Sequence, residues 1–135
     1  MRRGEVWEAN VGGTAGRRPV LILTRSAVIP YLSKVVVAEI TTQSKGYPTQ
    51  VPIGLAANLR RDSWVSAESL HSFPTDRLTR YVGELPRELL DRVSLAIVFG
   101  LALADREEPP PEPEPPSPAR PTRSPPRSGP RRPAR

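Results

Sequence analysis

RPVLILT (residues 18–24) and VVVAEIT (residues 35–41) are the two stretches on which the fold turns. Each is a continuous apolar run of strand length, rich in β-branched residues, and too short for a buried helix. Runs apolar on every position belong to strands covered on both faces, so both are expected at the centre of a sheet. The spacer between them carries Pro30 and Ser33, which mark the connection. Upstream, EVWEANV (5–11) reads as an opening strand and GGTAG (12–16) as a flexible loop. Downstream, TQVPI (49–53) and SWVSAESL (63–70) alternate as half-buried strands do, and YVGE (81–84) is a short last strand. Pro52 has no N–H to give to a ladder and places its strand at an edge.

From Pro86 to Leu103 the period changes. Pro86 suits a first helical position, Glu88 and Arg92 are spaced as an i,i+4 pair, and Leu89, Val93, Ile97 and Leu101 recur at helical spacing. Beyond Ser94 the helix is apolar almost all round, so it needs a second covering surface. Either it lies buried across the mouth of a barrel or it forms a subunit interface, and the homodimer is the reading preferred.

Residues 1–104 thus form a mainly β domain with a C-terminal helix, and residues 105–135 are a separate matter. Twelve of the 18 prolines fall between Pro109 and the end, with no aliphatic residue larger than Ala, so the tail is expected to be disordered. Arg106 apart, its acidic residues precede its arginines. It is read as an electrostatic arm or as an extension without a role.

Composition narrows the chemistry. With no Cys, disulfides, thiolate metal sites and thiol catalysis are excluded, and with the single His71 so is a two-imidazole pair within one chain. No carboxylate cluster has metal-ligand spacing, GGTAG lacks the Lys-Ser/Thr of a phosphate-binding Walker loop, and neither cofactor nor metal is expected. The longest apolar run falls well short of a membrane span of about 20 residues, and Gly4-Glu5 interrupts any signal-peptide pattern. A soluble cytoplasmic protein is the simplest reading. The net charge of +6, of which the domain keeps +4, suits a polyanionic partner such as nucleic acid.

In order along the chain, MRRGEVW (1–7), RRPVLIL (17–23), VAEITT (37–42), PTQV (48–51), Asp62-Ser63, Glu68 and the closing apolar helix resemble the MazF/PemK toxins of bacterial toxin–antitoxin systems over about residues 2–103. The resemblance implies an SH3-like barrel with a C-terminal helix that acts as a homodimer and is inhibited by a cognate antitoxin. It also implies metal-independent cleavage of single-stranded RNA to a 2′,3′-cyclic phosphate and a 5′-hydroxyl. The family's catalytic Arg and Thr match Arg18 and Thr41, and Glu68 matches an acidic position implicated in catalysis, a candidate proton acceptor.

Charge gathers on the non-bridging phosphate oxygens as the 2′-hydroxyl attacks, and a guanidinium with a hydroxyl donor binds that state best. Read without the family, Arg18 is a solvated strand start, Thr41 an ordinary β-branched residue and Glu68 a surface charge. Arg17 and Thr42, their neighbours, are candidates for contact with RNA, as are Gln50, Ser69 and His71. The last three stand where relatives often carry His, Gln and Arg, and the loop before Arg18 lacks the acidic segment common in the family, so the recognised RNA sequence is not inherited. Trp7, Trp64 and Tyr81 could stack on unpaired bases, but strand aromatics in a small barrel are more often core, and core is the reading preferred. Two non-nuclease alternatives are a toxin of this fold that binds a protein target such as gyrase, and an SH3-like adaptor.

Overall fold

The structure is a computed structural model that describes residues 1–104. The expectation of a disordered tail at 105–135 lies outside the described residues. Six strands, β1 (Glu5–Gly12), β2 (Gly16–Ile22), β3 (Lys34–Thr41), β4 (Gln50–Gly54), β5 (Ser63–Pro74) and β6 (Leu78–Glu84), precede one helix, α1 (Arg87–Leu101). They form one antiparallel sheet in the order β4-β5-β3-β2-β1-β6. The two apolar runs are central as expected, and the strand of Pro52 is an edge.

Both faces of the central strands are covered. Leu21, Ala38, Ile40, Val65 and Val93 of the helix belong to one buried cluster, and Val20, Ile22, Val35, Val37 and Leu78 to another on the opposite face. Alternation along β2 and β3 sends successive residues to these two cores, which explains why their sequences show no polar stripe. The β1–β2 hairpin turns through Gly12 and Gly16, both at positive φ, a conformation that side chains with a Cβ resist.

The two edges are brought together by the turn after β4. Asn58 Nδ2 donates to Val82 O of β6 at 2.9 Å, and a Cβ on Gly83 would lie only 2.5 Å from Ala57 O. Glycine at 83 therefore lets β6 approach the turn and curls the sheet toward a barrel.

Several elements differ from the sequence expectation. β5 runs four residues past Leu70, because Val35 and Val36 of β3 continue to pair with Phe73 and Ser72, and Phe73 packs on the second core. β6 starts at Leu78, held by pairing with β1. Pro86 is the N-cap of α1, not its first helical residue. The helix stops at Leu101 because Ala102 turns left-handed, with Leu103 N–H bonding Val98 O at 3.0 Å and closing the last turn. The ion pair on its outer face is Arg87–Asp91 at 3.3 Å, instead of Glu88 with Arg92. Arg3 ties helix to sheet by donating to Leu23 O and to Ser94 Oγ, the latter at 2.7 Å.

α1 packs Leu89, Leu90, Val93, Ala96 and Ile97 on the first core and leaves Leu95, Phe99 and Leu101 exposed, as is Leu103 just beyond it. Leu101, grouped with the buried stripe by its spacing, is half exposed at the helix end, beside Leu23 and Leu70. No helix of the described residues is long and apolar enough to cross a membrane.

Candidate active site

β2 and β3 position the central pair. Their ladder runs Ile22↔Val37, Leu21↔Ala38, Val20↔Glu39 and ends there; counted two residues on, the same register would bring Arg18 across from Thr41. Opposed residues of an antiparallel pair share a face. Arg18 and Thr41 accordingly line one cleft of about 460 Å³, together with Pro19, Ile40, Thr42, Gln43, Lys45 and Ser63. Arg18 is exposed and Thr41 half-buried, so both are accessible to a ligand. Among the described residues Arg18 has no ion pair. The Thr41 Oγ1 accepts from Gln43 N–H at 3.1 Å, which orients the hydroxyl and leaves its proton free to donate outward.

Arg17 points the other way. It lies 4.0 Å from Glu8, whose carboxylate also takes hydrogen bonds from Arg80 at 3.2 and 3.4 Å. The Arg80 hydrogen bonds hold the Glu8 carboxyl below the usual carboxylate range, against a desolvation that opposes them, with added attraction from the charges of Arg80 and Arg17. This cluster and the cleft occupy opposite faces, so of the neighbouring pair expected to touch RNA only Thr42 joins Arg18.

Gln50 does not line the cleft but shapes its rim. Its Oε1 accepts from Lys45 N–H at 2.7 Å and its Nε2 donates to Gln43 O at 3.3 Å, fastening the loop that carries Lys45. Glu68 and Ser69 lie outside the cleft as well. Between Ser66 and Leu70, β5 carries three residues that have no counterpart between Glu39 and Ala38 of β3. This bulge swings Glu68 toward β4, where it accepts from Thr49 Oγ1 at 2.6 Å.

His71 lies on the far side of the bulge. It lines a second cleft, of about 380 Å³, that shares Arg18, Pro19 and Ile40 with the first. There its Nε2 is 2.6 Å from Glu39 Oε2. Trp7 packs on the second core and meets Tyr81 edge-on at 6.0 Å. Trp7, Trp64 and Tyr81 line neither cleft.

Lys45 and Glu39 were not singled out by sequence reasoning. Lys45 is one of only two lysines and stands in a polar turn segment, while Glu39 is the one charge inside the VVVAEIT run. Both are the signals that would have found them.

The model of the PemK-like, MazF-like toxins of type II toxin–antitoxin systems matches residues 2–99. The chain belongs to this family. Endoribonuclease MazF3 of Mycobacterium tuberculosis is 44% identical over 68 residues, which span 50% of this chain and 66%, just under two thirds, of that protein. Probable endoribonuclease MazF2 of the same organism is 34% identical over 86 residues, 63% of this chain and 82% of that one. Among solved structures, Mycobacterium tuberculosis toxin MazF-mt6 superposes with a TM-score of 0.67 at 34% identity, covering 73% of this chain and 96% of its own. An endoribonuclease in complex with its cognate antitoxin from a mycobacterial species gives 0.69 at 26% identity, covering 76% and 96%. The six-stranded antiparallel sheet with its C-terminal helix is therefore the MazF architecture.

Proposed function

We propose that this MazF-family chain is the toxin of a type II toxin–antitoxin system and a metal-independent, sequence-specific endoribonuclease. It cleaves single-stranded RNA in the cytoplasm, leaving a 2′,3′-cyclic phosphate and a 5′-hydroxyl. The observation that carries this is the placement of Arg18 and Thr41 on one open cleft, in a family whose relatives are named endoribonucleases.

In this reading the scissile phosphate sits at the cleft with its non-bridging oxygens toward the Arg18 guanidinium and the Thr41 hydroxyl. Attack by the 2′-oxygen adds negative charge to those oxygens. A fixed cation and a hydroxyl already oriented by Gln43 N–H gain more from that charge than from the ground-state phosphate, which lowers the barrier. Lys45 on the rim raises the local positive potential and draws the flanking backbone in.

Leu95 and Phe99, four residues apart on α1, form an exposed apolar patch that water covers poorly. A second copy of the chain covers it in the homodimer. A cognate antitoxin restrains the toxin; that a mycobacterial relative of the same fold forms a complex with its cognate antitoxin supports this.

The test is incubation of the purified chain with end-labelled single-stranded RNA in chelator. Discrete fragments ending in cyclic phosphate and 5′-hydroxyl support the reading. Intact RNA with growth arrest on expression would favour a toxin that binds a protein target instead.

A further inference from the structure

Removal of the 2′-hydroxyl proton needs an acceptor, and neither member of the central pair supplies one. Arg18 stays protonated, and Thr41 already accepts a hydrogen bond. Glu68 is bound to Thr49 and lines neither cleft. The second cleft, continuous with the first at Arg18, holds a different group. His71 and Glu39 face each other there at 2.6 Å, each about half exposed, at 50% and 48% of the side chain.

We infer that His71 is the base that takes the 2′-hydroxyl proton and that Glu39 is its positioning residue. The inference rests on the endoribonuclease reading and deepens it. With Nε2–H donating to the Glu39 carboxylate, the ring is fixed in one tautomer and Nδ1 keeps a free lone pair. The same carboxylate stabilises the imidazolium that forms.

The placement suits one nucleotide. Glu39 and Thr41 are two residues apart on β3 and share a face, about 7 Å along the strand. His71 stands opposite Val37 in the ladder, on that same face. The phosphate-holding pair and the base thus line one continuous surface, with Arg18 common to both clefts.

The step balances. Nδ1 takes the 2′-hydroxyl proton as the O2′–P bond forms and the P–O5′ bond breaks. The departing 5′-oxygen takes a proton from solvent, and the imidazolium returns its own to solvent. Nothing is oxidised or reduced.

The charged groups that face His71 are few. β3 presents Glu39 and β2 presents Arg18 across the cleft. β4 pairs only with the Ser63–Ser66 half of β5, and α1 packs on the opposite face, beside Leu70.

The test is steady-state cleavage of single-stranded RNA by the full chain and its variants from acid to alkaline pH. His71→Gln is expected to lower kcat by about 10²–10⁴-fold with KM little changed, and to flatten the acid limb of the profile. Imidazole added to His71→Gly is expected to restore part of the rate. Glu39→Gln should give a smaller fall and displace the acid limb, and Glu39→Asp should recover some of it. Circular dichroism of each variant checks that these exposed substitutions leave the fold intact. A His71→Gln variant with wild-type kcat, raised KM and an unchanged profile would show a mere RNA contact and overturn the inference. A wild-type chain that cleaves no RNA instead removes the endoribonuclease reading and this inference with it.

Discussion

Replacing Arg18 and Thr41 singly and together tests whether they act on the same phosphate. Arg18 makes no ion pair among the described residues, and the other cation lining the cleft, Lys45, lies on its rim. Removing one donor to a developing oxyanion costs about 10²–10³ in kcat, or about 2.7–4 kcal/mol. Arg18 is exposed, so solvent screening puts Arg18→Ala at the lower end, about 10². Thr41→Val removes a neutral hydroxyl worth about 1 kcal/mol, roughly a fivefold loss. Thr41→Ser keeps the donor and the bond from Gln43 N–H, and is expected to stay within about twofold of wild type.

Independent contributions would multiply to a loss of about 500-fold in the double variant. Groups that hold the same oxygens do not multiply, because once the guanidinium is gone the phosphate is no longer positioned for the hydroxyl. The double variant is therefore expected within about twofold of Arg18→Ala alone. The assay is single-turnover cleavage of a short labelled RNA, with thermal melts showing that Arg18→Ala changes stability by no more than about 0.5 kcal/mol, as for an exposed site, and that each variant stays folded at the assay temperature. Strict multiplication of the two losses would refute a shared phosphate. Undiminished turnover in Arg18→Ala would remove the arginine from the mechanism.

Other consequences are equally open to measurement. Phe99→Glu puts a carboxylate on the exposed helix face and is expected to convert dimer to monomer in analytical ultracentrifugation, while a chain that is monomeric from the start contradicts the interface. Gly83→Ala would set a Cβ 2.5 Å from Ala57 O, and the forced shift should cost about 1–3 kcal/mol. Thermal melts should register this as a fall of about 4–8 °C per kcal/mol. Glu8 has its carboxyl depressed in the fold, so its contribution is present above the unfolded carboxylate value of about 4.3 and is lost as pH falls through the folded one. Glu8→Gln should accordingly lower the melting temperature at neutral pH and narrow its difference from wild type in acid; a difference independent of pH would contradict that assignment.

What the residues announced and what they concealed divide on physical lines. Both central strands show as uninterrupted apolar runs because each has a core on either face, and Pro52 marks an edge because it cannot donate. The ends of β5 and β6 are polar, as in His71-Ser72 and Thr79-Arg80, and persist as strand only through pairing with β3 and β1. Such pairing has no local signature. Likewise the helical spacing of Leu101 is right, but it is the last residue of the helix and stays half exposed beside Leu23 and Leu70.

The site shows the same division more sharply. Alternation alone separates Arg18 from Arg17 and unites it with Thr41 once the two strands pair. Which residue of β5 reaches that face depends on one register shift. Counting on from Glu39↔Ser66 without interruption would set Glu68 opposite Val37, on the face of Arg18, and would turn His71 away. Three extra residues in β5 are an odd number, and an odd shift exchanges the faces. The bulge thereby sends Glu68 to Thr49 and delivers His71 to Glu39. A charge in the middle of an otherwise apolar strand then acquires a reason, since Glu39 is the group that a histidine arriving on this face can bond.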